Sequence, residues 1–94
     1  MTTLRIQHTV ANFEAWKRAF DSDPVDRKGS GVRRYQICRS IDDHNLVLID
    51  LDFDDAEHAR GLLANMERIW RGPGKDLMQN PVSWLVDTVE NVNL

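Results

Sequence analysis

One histidine and four large aromatic rings are the residues of this chain best suited to handling a small molecule: His8, Trp16, Phe20, Tyr35 and Trp84. An imidazole titrates ordinarily near pH 6.5, which suits proton transfer at neutrality, and a strand position would hold it rigidly. His8 shares alternation parity with Leu4, Ile6 and Val10, so it is expected on the same side of a sheet as Trp16 and Phe20 from the following helix. Tyr35 and Trp84 are expected to join them from neighbouring strands. A planar ligand would lie against these rings, with His8 as base or hydrogen-bond donor at one edge and the Tyr35 hydroxyl orienting a phenol or carbonyl. The same residues also fit a plain core, in which His8 is satisfied by a backbone carbonyl and the rings simply fill space. Both readings stay open at this point.

Other polar groups offer less. Asp50 and Asp52 alternate onto one strand face but have no third ligand nearby, so they read as ion-pair partners rather than a metal site. Asp42-Asp43-His44 is a turn cluster, and His58 falls on the outer side of a helix. Cys38 is the one cysteine; it rules out an intramolecular disulfide, fits a reducing compartment and reads as a small buried hydrophobe. There is no Ser/His/Asp order, phosphate loop, dinucleotide fingerprint or CxxC motif. Neither a metal nor an organic cofactor is expected.

The elements that must position these groups follow from periodicity and punctuation. Thr3 to Val10 alternates as a first strand. Asn12 is a helix cap ahead of Phe13, Trp16 and Phe20 at helical spacing, and Pro24 ends that helix near residues 21–23. Pro24 to Gly31 is a polar connection. Val32 to Ser40 and Asn45 to Phe53 form a hairpin of two strands, since so short a loop joins antiparallel neighbours. Asp54 and Glu57 make a capping box for a second helix that buries Ala56, Ala59, Leu62, Leu63 and Met66. Gly72-Pro73-Gly74 stops it, and Val82 to Glu90 is the last strand. The order is βαββαβ: an α+β, ferredoxin-like fold with a four-stranded antiparallel sheet and two helices on one face.

With 94 residues, 41% hydrophobic and 29% charged, the chain fits one globular domain over residues 1–94. A net charge of −3 with scattered basic residues argues against nucleic-acid and anionic-membrane partners. The N-terminal stretch lacks the apolar core of a signal peptide, and no apolar run approaches a membrane span, so a cytoplasmic location is expected. Two helices cover only one sheet face. On the third strand Val47, Ile49, Leu51 and Phe53 form the row assigned to the helices, leaving Leu46, Leu48, Asp50 and Asp52 on the other side. A second copy stacked sheet to sheet would cover those leucines, with Arg5 or Arg34 pairing the carboxylates. A homodimer is therefore expected over a monomer with a solvated face.

The element order, with His8, Val10, Asn12, Trp16 and Phe20 followed by Tyr35, Asn45 and Phe53, resembles the dimeric α+β barrel superfamily, and within it small bacterial proteins related to the antibiotic-biosynthesis monooxygenase domain. Asn12 stands where those proteins often carry aspartate. The resemblance implies a homodimer of two sheets closed into a barrel, with a pocket in each subunit between sheet and helices. It also implies, for the monooxygenase branch, oxidation of aromatic polyketides without metal or flavin. A haem-degrading branch pairs a first-strand asparagine with a second-helix tryptophan and a following histidine. Here Gln7 or His8 and Trp70 are available, but the last histidine is His58, so the axial ligand is missing.

Three functional classes follow. One is a cofactor-independent monooxygenase or cyclase-like enzyme acting on a small aromatic or polyketide-like compound. A second is a non-catalytic module that binds such a molecule. The third is a structural dimerisation unit whose rings fill their own space. The volume left between sheet and helices separates them.

Overall fold

The backbone alternation sorts the chain into the expected elements. A computed structural model describes residues 1–94, with β1 (Thr2–Thr9), α1 (Phe13–Asp21), β2 (Arg34–Arg39), β3 (Leu46–Phe53), α2 (Ala56–Arg71) and β4 (Gln79–Asp87). The sheet order is β2-β3-β1-β4 and every neighbouring pair is antiparallel. This is the ferredoxin-like α+β arrangement that the sequence predicts.

The core lies between the sheet and the helices. Leu4, Ile6 and His8 of β1 stand opposite Leu51, Ile49 and Val47 of β3, and all six are essentially inaccessible to solvent. From the helices, Trp16 and Phe20 of α1 and Ala59, Leu62 and Met66 of α2 pack onto that surface. Removing these rows from water is what holds the helices down, at roughly 1.5–3 kcal/mol for each large apolar side chain buried.

The caps refine the sequence reading. Asn12 accepts the Ala15 N–H at 3.1 Å and starts α1 as expected. The second helix is capped by Asp55 rather than Asp54: Asp55 is extended and accepts the His58 N–H at 2.8 Å. Asp54 instead pairs with Arg33, so the Asp54–Glu57 box does not form. The helix runs unbroken past Asn65 to Arg71, and Gly72 supplies its C-cap. Gly74 is buried, and a side chain there would meet Ile69 at 2.9 Å; its absence lets the chain fold tightly back under α2 before β4 begins.

One face of the sheet remains open. Register places Arg5 opposite both Asp50 and Trp84, and Gln7 opposite both Leu48 and Val82. Trp84 therefore belongs to the open face, 46% exposed, and not to the helix side where it was expected. The reason is parity: Leu4 pairs with Leu85, so Leu85 turns inward and its neighbour must turn out. Cys38, opposite Leu48, is likewise exposed on this face instead of buried, because β2 is an edge strand. The two carboxylates find partners within the same chain. Arg5 binds Asp50 through two nitrogens at 2.9 and 3.1 Å, while Asp52 receives Arg34 and, at 2.6 Å, the Thr3 hydroxyl.

Candidate functional site

A cavity of about 70 Å³ opens between the helices and the sheet, walled by Trp16 and Phe20 of α1, Ile49 of β3, Met66 and Trp70 of α2, and Arg27 from the loop after α1. Ten of its 13 lining residues are hydrophobic, and Arg27 is the one charged member. That composition, apolar walls with a single polar contact at the side, is the usual character of a small-molecule site, although the volume as it stands admits only a small apolar group unless wall side chains move aside. Met66, with Met78 from the segment before β4, gives part of the wall an unbranched, adaptable surface.

The rings form a chain of contacts rather than a ring around a void. Trp16 lies 5.0 Å from His8, 5.7 Å from Phe13 and 5.3 Å from Phe20, centroid to centroid, and Phe20 meets the Tyr35 ring edge-on at 5.2 Å. Helical spacing sets the α1 members side by side. Arg27 closes the end of this chain. Its guanidinium sits 4.0 Å over the Phe20 ring and 5.0 Å from Tyr35, an electrostatically favourable placement of a cation on a π face. The loop that carries it coils tightly: Asp23 and Asp26 both adopt left-handed backbone (φ 57° and 49°). Asp23 accepts the Arg27 backbone N–H at 2.9 Å, and Arg27 Nη1 donates to the Phe20 carbonyl.

His8 takes a different position from the one its chemistry invited. It is 1% exposed, lies against Trp16 and is not part of the cavity wall. Its Nδ1 stands 3.4 Å from the Thr9 carbonyl, a long contact, and Nε2 is buried with no hydrogen-bond partner. Desolvation pushes its pKa down to about 4, opposed weakly by the Thr9 carbonyl. At neutral pH the ring is uncharged, and Trp16 contacts both it and the cavity. A general base must lie within hydrogen-bond reach of the proton it removes.

Of the five sequence-selected residues, the structure sets Trp16 and Phe20 in the cavity wall, His8 behind Trp16, Tyr35 on the helix side beyond Phe20 and 42% exposed, and Trp84 on the opposite face. Arg27 and Trp70 were missed as lining residues. Trp70 sits four residues beyond Met66 on the buried stripe of α2, which reads as core extension until the cavity beneath it is visible. Arg27 lies in a polar connection without periodicity, so no pattern distinguishes it from its neighbours. No group of three His, Cys, Asp or Glu side chains converges as a metal site.

The fold recurs among solved structures. SnoaB, a cofactor-independent oxygenase from Streptomyces nogalater, superposes with a TM-score of 0.76 at 16% identity, covering 97% of this chain and 95% of that one. An antibiotic biosynthesis monooxygenase gives 0.67 at 14% identity over 96% and 100% of the two chains. A dimeric ferredoxin-like protein from an uncultured marine organism gives 0.68 at 14% identity, covering 97% of each. The chain thus shares the ferredoxin-like fold of these proteins. No family model and no curated protein matches the sequence.

Proposed function

We propose that the protein is a small-molecule pocket protein of the cofactor-independent oxygenase kind, taking a small aromatic or polyketide-like compound into the cavity beside Trp16, Phe20 and Trp70. The observation that carries this reading is an apolar, aromatic-walled cavity with one guanidinium at its side, in a fold shared with a cofactor-independent oxygenase. In such a reaction an activated CH2 of the substrate becomes C=O while O2 is reduced by four electrons, one oxygen entering the carbonyl and the other leaving as water. The substrate supplies the electrons, and an acidic phenol or β-diketone gives its proton to bulk water before it is enclosed, so the chain need only bind the resulting anion, shield it and stabilise its charge. Arg27 is the group available for that last task; His8, neutral and behind Trp16, acts through packing. Oxygen uptake with a panel of single-ring activated phenols and cyclic β-diketones tests the reading. Uptake above the protein-free rate that is lost in Trp16→Ala is expected; no acceleration with any compound contradicts it.

The absence of an acid–base group from the cavity wall favours a second reading, a binding module without turnover. Saturable binding with no oxygen uptake would select it. In either case the protein acts as a homodimer of the domain 1–94 in the cytoplasm. The open face carries Leu46, Leu48, Val82, Trp84 and Val86, an apolar area suited to a second sheet, and one structural neighbour is itself dimeric. No helix is long and apolar enough to cross a membrane.

A further inference from the structure

Arg27 belongs to two walls. Besides the apolar cavity it lines an open groove of about 600 Å³ formed with Lys28, Arg33, Arg34, Tyr35 and Asp23. The cavity alone is small: an engineered void that takes up benzene measures about 150 Å³, against about 70 Å³ here. A ring or short chain that enters it must push aside flexible wall residues, and the rest of the molecule has to remain outside. The groove that meets the cavity at Arg27 is where that remainder would lie.

The charge of the groove sets what the remainder carries. It is lined by four cations and one carboxylate. Three of the cations already have carboxylate partners: Arg27 has Asp23 at 3.4 Å, Arg33 has Asp54, and Arg34 has Asp52. Lys28 is exposed and has no ion-pair partner, while Asp26, close by in the same loop, accepts the Gly29 N–H and is not in the groove wall. One positive charge is thus left over. Arg27 also keeps donors in hand, since Nη1 goes to the Phe20 carbonyl while Nη2 has no protein acceptor. Its ring-stacked guanidinium is held in place, which suits a planar carboxylate better than a flexible ammonium would.

We propose that the ligand is an amphipathic monocarboxylic acid whose single ring or short acyl end enters the cavity while its carboxylate rests on Arg27 and Lys28. The proposal rests on the reading of the cavity as a ligand site. A dianionic phosphate is disfavoured by the one unpaired charge.

The test compares 3-phenylpropanoate with its neutral amide by NMR titration of the full-length protein. The two share the apolar part and differ in charge. The acid should bind about tenfold more tightly than the amide, in the range expected of a charge-assisted contact. That preference should fall at least threefold in Lys28→Glu and largely vanish in Arg27→Gln. Lys28→Glu changes an exposed residue, so it remains informative if Arg27→Gln does not fold. Equal binding of acid and amide would overturn the carboxylate proposal while leaving the cavity reading intact. So would an acid preference unchanged by Lys28→Glu at low salt. Binding of neither compound would defeat the cavity reading and this proposal with it.

Discussion

His8 shows how burial decides what a residue can do. Its folded pKa of about 4 lies below the ordinary value of 6.5 because the charged ring would lose its water. As pH falls through 6.5 the unfolded chain takes up a proton that the folded chain refuses. The stability this neutral ring contributes is therefore complete above about pH 6.5 and is lost progressively toward pH 4, amounting to about 3 kcal/mol in all. Urea denaturation at pH 7.5 and 4.5 should show this loss nearly alone, because a carboxylate with a depressed pKa, such as Asp52, loses its contribution only at lower pH. Burial alone would raise the Asp52 pKa, but the Thr3 hydroxyl and Arg34 hold it below the usual range. His8→Leu should lack the histidine part, so its stability should fall less between the two pH values. Equal losses in both proteins would mean that the ring is hydrated or charged in the fold. The sequence showed that His8 faces the helices; it could not show that Trp16 would stand between His8 and the cavity, because that depends on side-chain packing and not on alternation.

Element boundaries were legible wherever a residue acts locally. Asn12, Pro24 and Gly72-Pro73-Gly74 act through their own backbone and caps, and each falls where the chain turns. The start of α2 was misread by one residue because Asp54 and Asp55 are both competent caps, and the choice depends on Arg33, which lies more than 20 residues away in sequence and draws Asp54 aside. This has a measurable consequence. Asp55→Ala should lower the denaturation midpoint clearly through loss of the cap, whereas Asp54→Ala should lower it little, because an exposed ion pair is screened by water. Chemical denaturation of the two variants would settle which residue caps, and a larger loss in Asp54→Ala would contradict the assignment. The inward and outward rows of β1 and β3 were read correctly because the inward row of β3 is continuously apolar and Leu4 and Ile6 fix the parity of β1, which carries His8 inward with them. In β4 Trp84 and Leu85 are both apolar neighbours, so composition could not orient the strand and only the register with β1 does so.

At the scale of the whole molecule, two surfaces follow from placing both helices on one side: an apolar cavity beneath them and an open sheet face behind. The open face predicts a sheet-to-sheet dimer burying on the order of 2,000 Å² in total. Sedimentation equilibrium at micromolar concentration should give twice the chain mass, and Trp84→Glu should shift it to the monomer; a monomeric unmodified protein would contradict this. The cavity was legible only as a possibility, since its volume is what remains after every neighbouring ring has packed. The three tryptophans provide a direct assay of it, because Trp16 and Trp70 line the cavity while Trp84 lies on the far face. The decisive measurement is an NMR titration with phenol that follows the three indole N–H resonances. Saturable shifts of Trp16 and Trp70, with Trp84 unmoved, are the predicted result. Absence of shifts, or equal non-saturating shifts of all three, would contradict the claim that this protein holds a small molecule between its helices and its sheet.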